Sequence, residues 1–204
     1  MKHRTTIALT AALLLCAGSA VADAALAIGA SAPLADTAMK GTDGSDHTIA
    51  GSAGDKGTLV VFTCNHCPWA KAWEERIVAL GNHAAAQGVG VIAINSNDPK
   101  AYEDDGFAEM QQRAKERGMN FPYVVDATSD VARAFGATRT PEAYLFDASG
   151  KLVYHGTIDD NAQEPEKVEK RYLADAVDAV VAGAAVPVAE TKALGCGIKF
   201  RGEG

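Results

Sequence analysis

The chain has 204 residues, of which 48% are hydrophobic and 22% charged, and it carries a formal net charge of −7 at pH 7. This length and composition are typical of a globular protein with one core of ordinary size. The acidic balance disfavours nucleic acid as a partner, because the phosphate backbone attracts basic surfaces.

The first residues have the features of a secretory leader. A basic start with Lys2 and Arg4 precedes an uncharged, mostly apolar run from Ile7 to Ala20, and Ala20-Val21-Ala22 fits a cleavage site of small residues. The run is too short to span a bilayer comfortably. We therefore expect a signal peptide over residues 1–22, a periplasmic or secreted product, and no stable membrane insertion after cleavage.

Strand-like and helix-like patterns then alternate along the chain. A turn signal over residues 41–44 predicts a short hairpin within residues 39–49. After it the pattern predicts strands over 58–63, 89–95, 123–125, 142–146 and 152–158, and helices over 68–87, 102–118, 130–135 and 165–182.

This order predicts the architecture. Early alternation of strand and helix implies right-handed crossovers and a largely parallel centre, and the late hairpin implies an antiparallel edge. We therefore predict an α/β domain over residues 23–185, with a mixed central sheet and helices on both faces. A C-terminal tail, residues 186–204, carries Cys196.

Two cysteines lie where a predicted strand meets a predicted helix, in the segment Cys64-Asn65-His66-Cys67-Pro68. A thiol at a helix start is close to unpaired backbone N–H groups and to the positive end of the helix dipole. Both favour the thiolate, which is the reactive species. The pair therefore predicts a redox-active dithiol, although a lone C-x-x-C is also compatible with half of a zinc site or with an inert structural disulfide.

The residues around this pair resemble the thioredoxin superfamily. Its two signatures are a strand running into C-x-x-C at a helix start and a Thr-Pro pair before a later strand, here Thr140-Pro141. The long interval between them, with an extra helix and strand near residues 100–126, is similar to the peroxiredoxin-like (AhpC/TSA, redoxin) branch, as are the phrases F-T-C-N-H-C-P-W and L-F-D-A-S-G-K-L-V-Y-H-G. The resemblance implies a thioredoxin-like fold and a thiol-disulfide oxidoreductase.

The resemblance also implies residue roles. Pro141 would be a cis proline that faces the dithiol, and Thr140 would offer backbone pairing to a substrate. Cys64 would be the exposed nucleophile of low pKa and Cys67 the resolving thiol, with a protonated His66 stabilising the Cys64 thiolate. A histidine just before the second cysteine is typical of more oxidising members, so we expect a reduction potential above that of thioredoxin.

Cys196 is flanked by Gly195 and Gly197, which predicts a flexible tail. Such a tail could fold back and exchange with the Cys64–Cys67 disulfide, which would make Cys196 a third relay thiol. The alternative is a passive cysteine.

Two other functions stay open. Peroxiredoxins carry the motif P-x-x-x-T-x-x-C, which ends at their peroxide-attacking cysteine. In this chain Gly57 and Val61 occupy the proline and threonine positions of that motif. Arg139 lies near the place where peroxiredoxins carry an arginine that orients peroxide. A copper-delivery protein is the second alternative, since thiolates and imidazole suit copper, although the copper-assembly relatives have three residues between their cysteines.

The residues require no cofactor and no metal for the favoured chemistry. The expected partners are protein or small-molecule thiols and disulfides, together with an exported or membrane-bound redox partner.

Overall fold

The computed structural model describes residues 25–202. The expected signal peptide, residues 1–22, lies outside the described residues. None of the helices in the described range combines the length and the apolar composition that a membrane span requires.

The described chain contains nine strands and four α-helices. The strands are β1 (Met39–Gly41), β2 (Asp46–His47), β3 (Gly57–Phe62), β4 (Val89–Asn95), β5 (Tyr123–Val125), β6 (Arg139–Thr140), β7 (Glu142–Asp147), β8 (Leu152–Gly156) and β9 (Cys196–Gly197). The helices are α1 (Pro68–Ala86), α2 (Phe107–Arg117), α3 (Asp130–Phe135) and α4 (Tyr172–Ala182).

Seven of these strands form the predicted mixed sheet. Hydrogen bonding gives the runs β2-β1-β5-β4 and β3-β7-β8. The runs adjoin where β3 packs beside β4, and the Thr63 N–H donates to the Ile94 carbonyl at 2.9 Å. β4 and β5 are parallel, whereas β3–β7 and β7–β8 are antiparallel. The prediction of a parallel centre with an antiparallel edge hairpin therefore agrees with the observed pairing.

The sheet carries a core on each face because successive strand residues point to opposite sides. Leu59 and Val61 of β3 pack with residues of α1, α2 and α4, whereas Val60 and Phe62 pack with residues of α3. Ile198 of the C-terminal tail belongs to the second core. Both faces of the sheet are thus covered, which leaves the ends of the strands as places for a site.

Two helices differ from their predicted extents. The predicted helix over 102–118 begins only at Phe107, because Gly106 is extended and residues 103–105 form a separate 3-10 turn. The predicted helix over 165–182 is likewise a 3-10 turn followed by α4 from Tyr172. The intervening residues instead hydrogen-bond to Asp160, which accepts from the Glu169 N–H and donates to the Lys170 carbonyl.

Candidate active site

The dithiol lies at the junction that the sequence indicated. β3 ends at Phe62, and Cys67 is the N-terminal cap of α1, with Pro68 at the first helical position. Proline is suited to that position because its fixed φ matches the helix and it has no N–H to leave unpaired. The local sequence thus fixes both thiols at the carboxyl end of a central strand.

Thr140 and Pro141 lie directly against both thiols. The peptide bond between them is cis, which is the geometry that the resemblance implies. The Thr140 hydroxyl is 3.2 Å from the Cys64 Sγ, and the Thr140 carbonyl oxygen is 3.2 Å from the Cys67 Sγ. Residues that are more than seventy positions apart in the chain are therefore in contact at one point.

Both thiols are more enclosed than the sequence predicted. Cys64 is 5% exposed and Cys67 is fully buried. The expectation of an exposed Cys64 is therefore wrong for this conformation. The C-terminal tail contributes to this enclosure: β9 pairs with β6, so that Cys196 lies opposite Thr140 and packs on a small cluster of Cys64, Cys67 and Ala70.

The two thiols shift each other's pKa in opposite directions. The hydrogen bond from Cys64 lowers the pKa of Cys67 to about 4, against the opposing effect of burial, and further hydrogen bonds from Cys196 and from the Ala70 N–H act in the same direction. The Thr140 carbonyl opposes the shift by accepting a hydrogen bond from the protonated form.

The pKa of Cys64 is raised correspondingly. The hydrogen bond to Cys67 is the largest cause, followed by burial and by the nearby Asp105 carboxylate. The two shifts have opposite directions, because a proton held by one thiol stabilises the thiolate form of its neighbour.

His66 is held beside Cys64 by a carboxylate that the sequence did not single out. Its Nδ1 is 2.6 Å from an Asp105 carboxylate oxygen, and its ring stacks on Tyr102 with centroids 3.8 Å apart. One ring nitrogen of His66 and one oxygen of Asp105 both lie within 4.8 Å of the Cys64 Sγ. The three residues form a connected thiol, imidazole and carboxylate group that can exchange protons.

Asp105 is a buried acceptor for several donors. It is 1% exposed and accepts hydrogen bonds from the backbone N–H groups of Asn65 and His66 and from the Asn97 side-chain amide, at 2.7, 3.3 and 2.9 Å. Since its oxygens are committed to these donors, they have little remaining capacity for a metal ion. The donor set therefore suits proton chemistry better than metal binding.

A second buried carboxylate supports the turn that carries Thr140 and Pro141. Glu142 accepts hydrogen bonds from the N–H groups of Thr138 and Arg139, both at 2.9 Å, and pairs with His155 Nε2 at 2.7 Å. Burial raises the pKa of Glu142, but the hydrogen bonds from His155 and from the two N–H groups outweigh it, so that the pKa lies below its ordinary value. No short-range sequence motif predicted this group.

The peroxidase signature has no counterpart in the site. Val61 is a buried aliphatic side chain in β3, so it offers no hydrogen bond to a peroxide. Arg139 is exposed, and among the described residues neither thiol receives a contact from its guanidinium. The backbone of Arg139 contributes instead, by pairing with Gly197 and by donating its N–H to Glu142.

The sequence model of the AhpC/TSA family matches residues 28–155. The chain belongs to the AhpC/TSA family. The thiol-disulfide oxidoreductase ResA of Geobacillus thermodenitrificans is 27% identical over 128 residues, which are 63% of this chain and 68% of ResA. The predicted activity is therefore confirmed: this AhpC/TSA protein is a thiol-disulfide oxidoreductase, and thiols and disulfides are its substrates.

Solved structures agree with the fold. A hypothetical protein of Sinorhizobium meliloti 1021 has a TM-score of 0.80 at 33% identity, covering 88% of this chain and 97% of that chain. A thioredoxin-like protein in its oxidised form has a TM-score of 0.59 at 20% identity, covering 77% of this chain and 97% of that chain. The second likeness concerns the fold alone, and together they confirm the predicted thioredoxin-like architecture.

Proposed function

We propose that this protein exchanges disulfides by cycling Cys64 and Cys67 between a dithiol and a disulfide. The observation that carries the proposal is the pair of packed thiols at the start of α1, each of which lies 3.2 Å from an oxygen of Thr140. A strongly lowered pKa on one member of such a pair supplies thiolate at neutral pH.

Within this cycle Cys64 is the sulfur that meets the substrate, because Cys67 has no exposed surface. Cys64 passes its proton to Cys67 as a substrate disulfide approaches, and the resulting Cys64 thiolate attacks one substrate sulfur. The first substrate thiol leaves, and Cys67 then attacks Cys64, which releases the second thiol and forms the Cys64–Cys67 disulfide. His66, paired with Asp105, supplies and accepts the protons of these steps.

The proposed setting is outside the cytoplasm, with protein or small-molecule thiols as substrates and an exported or membrane-bound redox partner. The leader-like residues 1–22 support the location. The low pKa of Cys67 stabilises the reduced form. We therefore expect a reduction potential above that of thioredoxin, which is about −270 mV.

Insulin reduction in the presence of dithiothreitol tests the activity. Cys64→Ser and Cys67→Ser should each lower the rate at least about 100-fold, since either change removes one sulfur of the cycle. His83→Gln is the matched control, because His83 is an exposed residue of α1. Retention of the wild-type rate by either cysteine variant would contradict the proposal.

A redox titration and a peroxide assay complete the test. A potential at or below that of thioredoxin would contradict the role given to the Cys67 thiolate. Hydrogen peroxide should be consumed more slowly than insulin is reduced, because Val61 occupies the position of the peroxidatic threonine. Faster consumption of peroxide would make a peroxidase the better description.

A further inference from the structure

The C-terminal tail occupies the groove beside the dithiol as an added strand. β9 is antiparallel to β6, with Cys196 opposite Thr140 and Gly197 opposite Arg139. The approach is close: a Cβ on Gly195 would lie 2.2 Å from the Thr140 carbonyl oxygen. Gly195 thus permits the tail to lie against the backbone that contacts both thiols.

The tail is held on both sides of this strand. Before it, the Thr191 N–H donates to the His155 carbonyl at 2.9 Å. After it, the Ile198 N–H donates to the Thr138 carbonyl and the Lys199 N–H to Asn97 Oδ1, at 3.0 and 2.8 Å. The predicted flexible tail is therefore a docked segment, and Cys196 has a defined place.

Cys196 contacts the dithiol through Cys67. Its side chain packs on the cluster of Cys64, Cys67 and Ala70, and it is close enough to Cys67 for the two thiols to shift each other's pKa. Cys67 thus has two other cysteines beside it, Cys64 and Cys196. Cys196 is the most exposed of the three, since it is only half-buried whereas the other two are buried.

We infer that Cys196 is the third thiol of the redox centre and takes the disulfide from Cys67, so that an oxidised form carries a Cys67–Cys196 bond. This inference rests on the proposed cycle. The Cys196 thiolate attacks the Cys67 Sγ, the Cys64–Cys67 bond breaks, and Cys64 leaves with the electron pair and takes up the proton that Cys196 released. One disulfide is exchanged for another, so no oxidant or reductant enters this step.

Access and charge both favour this transfer. The cavity that borders Cys64 measures about 10 Å³, the space of about one water molecule, so it has no room for a substrate disulfide, whereas Cys196 is the most exposed of the three cysteines. Burial and the charge of Cys67 raise the pKa of Cys196 to about 11 in the reduced pair, while Lys199 lowers it. Once Cys67 is part of a disulfide it carries no charge, so the Cys196 thiol loses its proton more easily.

Trapping in Cys64→Ser tests the inference. Oxidised glutathione should convert this variant to a Cys67–Cys196 disulfide, seen by mass spectrometry as a link between the tryptic peptides of residues 57–71 and 193–199. In Cys67→Ser the corresponding Cys64–Cys196 link should form at least about tenfold more slowly, because exchange depends on access to the partner sulfur. Two free thiols or separate glutathione adducts in Cys64→Ser, or equal rates in both variants, would overturn the inference.

Glycine variants separate docking from thiol chemistry. Gly195→Ala, added to Cys64→Ser, should slow the link at least about tenfold, because the new methyl group clashes with Thr140. Gly197→Ala is the matched control, since a Cβ there meets nothing closer than Lys199 Nζ at 4.0 Å. Equal slowing by both substitutions would contradict the role of the docked strand.

The outcome is distinguishable from failure of the proposed function. If the wild type cycles Cys64 and Cys67 but Cys64→Ser forms no link to Cys196, the relay is wrong and the dithiol proposal stands. If the wild type forms no Cys64–Cys67 disulfide and Cys64→Ser reduces insulin normally, the dithiol proposal itself is wrong.

Discussion

At the scale of single residues, the site depends on the carboxylate of Asp105, which no sequence motif predicts. The sequence pattern around Asp105 predicts a charged, exposed helix. Asp105 is instead buried and hydrogen-bonded to the C-x-x-C loop. The break at Gly106 explains the difference, because it ends the 3-10 turn and lets Asp105 point inward. The partner of His66 was therefore decided by a local irregularity of the backbone.

Replacing the Asp105 carboxylate should destabilise the folded protein. Asp105→Asn exchanges an acceptor for an amide whose N–H groups face other donors, so we expect the free energy of unfolding to fall by about 2–4 kcal/mol. Urea unfolding measures the change. Asp104→Asn is the control, because the Asp104 side chain is exposed and its ion pair with Lys71 is worth less than about 1 kcal/mol. Similar losses for both variants would contradict the role of Asp105.

At the scale of elements, β6 and the turn before β7 bring together the dithiol and the C-terminal tail, which are far apart in the chain. Thr140 contacts both thiols on one side and pairs with Cys196 on the other. Glu142 holds this turn from beneath through the N–H groups of Thr138 and Arg139. The short strand β6 is thus the element that joins the dithiol to the tail.

The carboxylate beneath this turn predicts a pH dependence. Because the pKa of Glu142 lies below its ordinary value in the folded protein, its stabilising effect is present above the unfolded pKa and disappears as the pH falls through the folded pKa. Glu142→Gln should lower the free energy of unfolding at neutral pH by about 1–3 kcal/mol. The difference from the wild type should shrink as the pH falls below about 4.

Urea unfolding across this pH range checks the dependence. Glu169→Gln serves as the control, because Glu169 is exposed. A difference between Glu142→Gln and the wild type that stays constant down to the lowest pH would show that the carboxylate charge is not responsible.

At the scale of the whole molecule, the two cores and the docked tail make the site a product of the entire fold. Ile198 packs in the core that contains Phe62 and Phe135, so the tail is anchored in the same core as the strand that leads to the dithiol. A link between Cys67 and Cys196 would consequently tie the start of α1 to the end of the chain.

This tie predicts a gain in stability. A Cys67–Cys196 disulfide closes a loop of about 130 residues, which should stabilise oxidised Cys64→Ser by about 3–5 kcal/mol over its reduced form. Urea unfolding of this variant under oxidising and reducing conditions measures the gain.

The control for this comparison is Cys64→Ser combined with Cys196→Ser, which cannot form the long loop. Its unfolding should not depend on the redox conditions. An equal gain in this double variant, or no gain in Cys64→Ser once the link is formed, would contradict the prediction.

The sequence determined the local elements and the junction of strand, C-x-x-C and helix, because apolar periodicity, turn residues and a proline at the first helical position act over short distances. The bounds of β4, β5 and α3 match the predicted ranges, and those of β3 and α1 differ by one residue. The family signature at Thr140-Pro141 also marked the second half of the site.

The tertiary structure alone decided the environment of the thiols. The burial of Cys64, the pairing of His66 with Asp105 and the docking of Cys196 all depend on contacts between residues far apart in the chain. Such contacts leave no periodic pattern in the sequence, because the burial and the charge around a residue depend on neighbours from distant parts of the chain. The pKa of a group depends on its burial, on nearby charges and on its hydrogen bonds, and these are defined only in the folded protein.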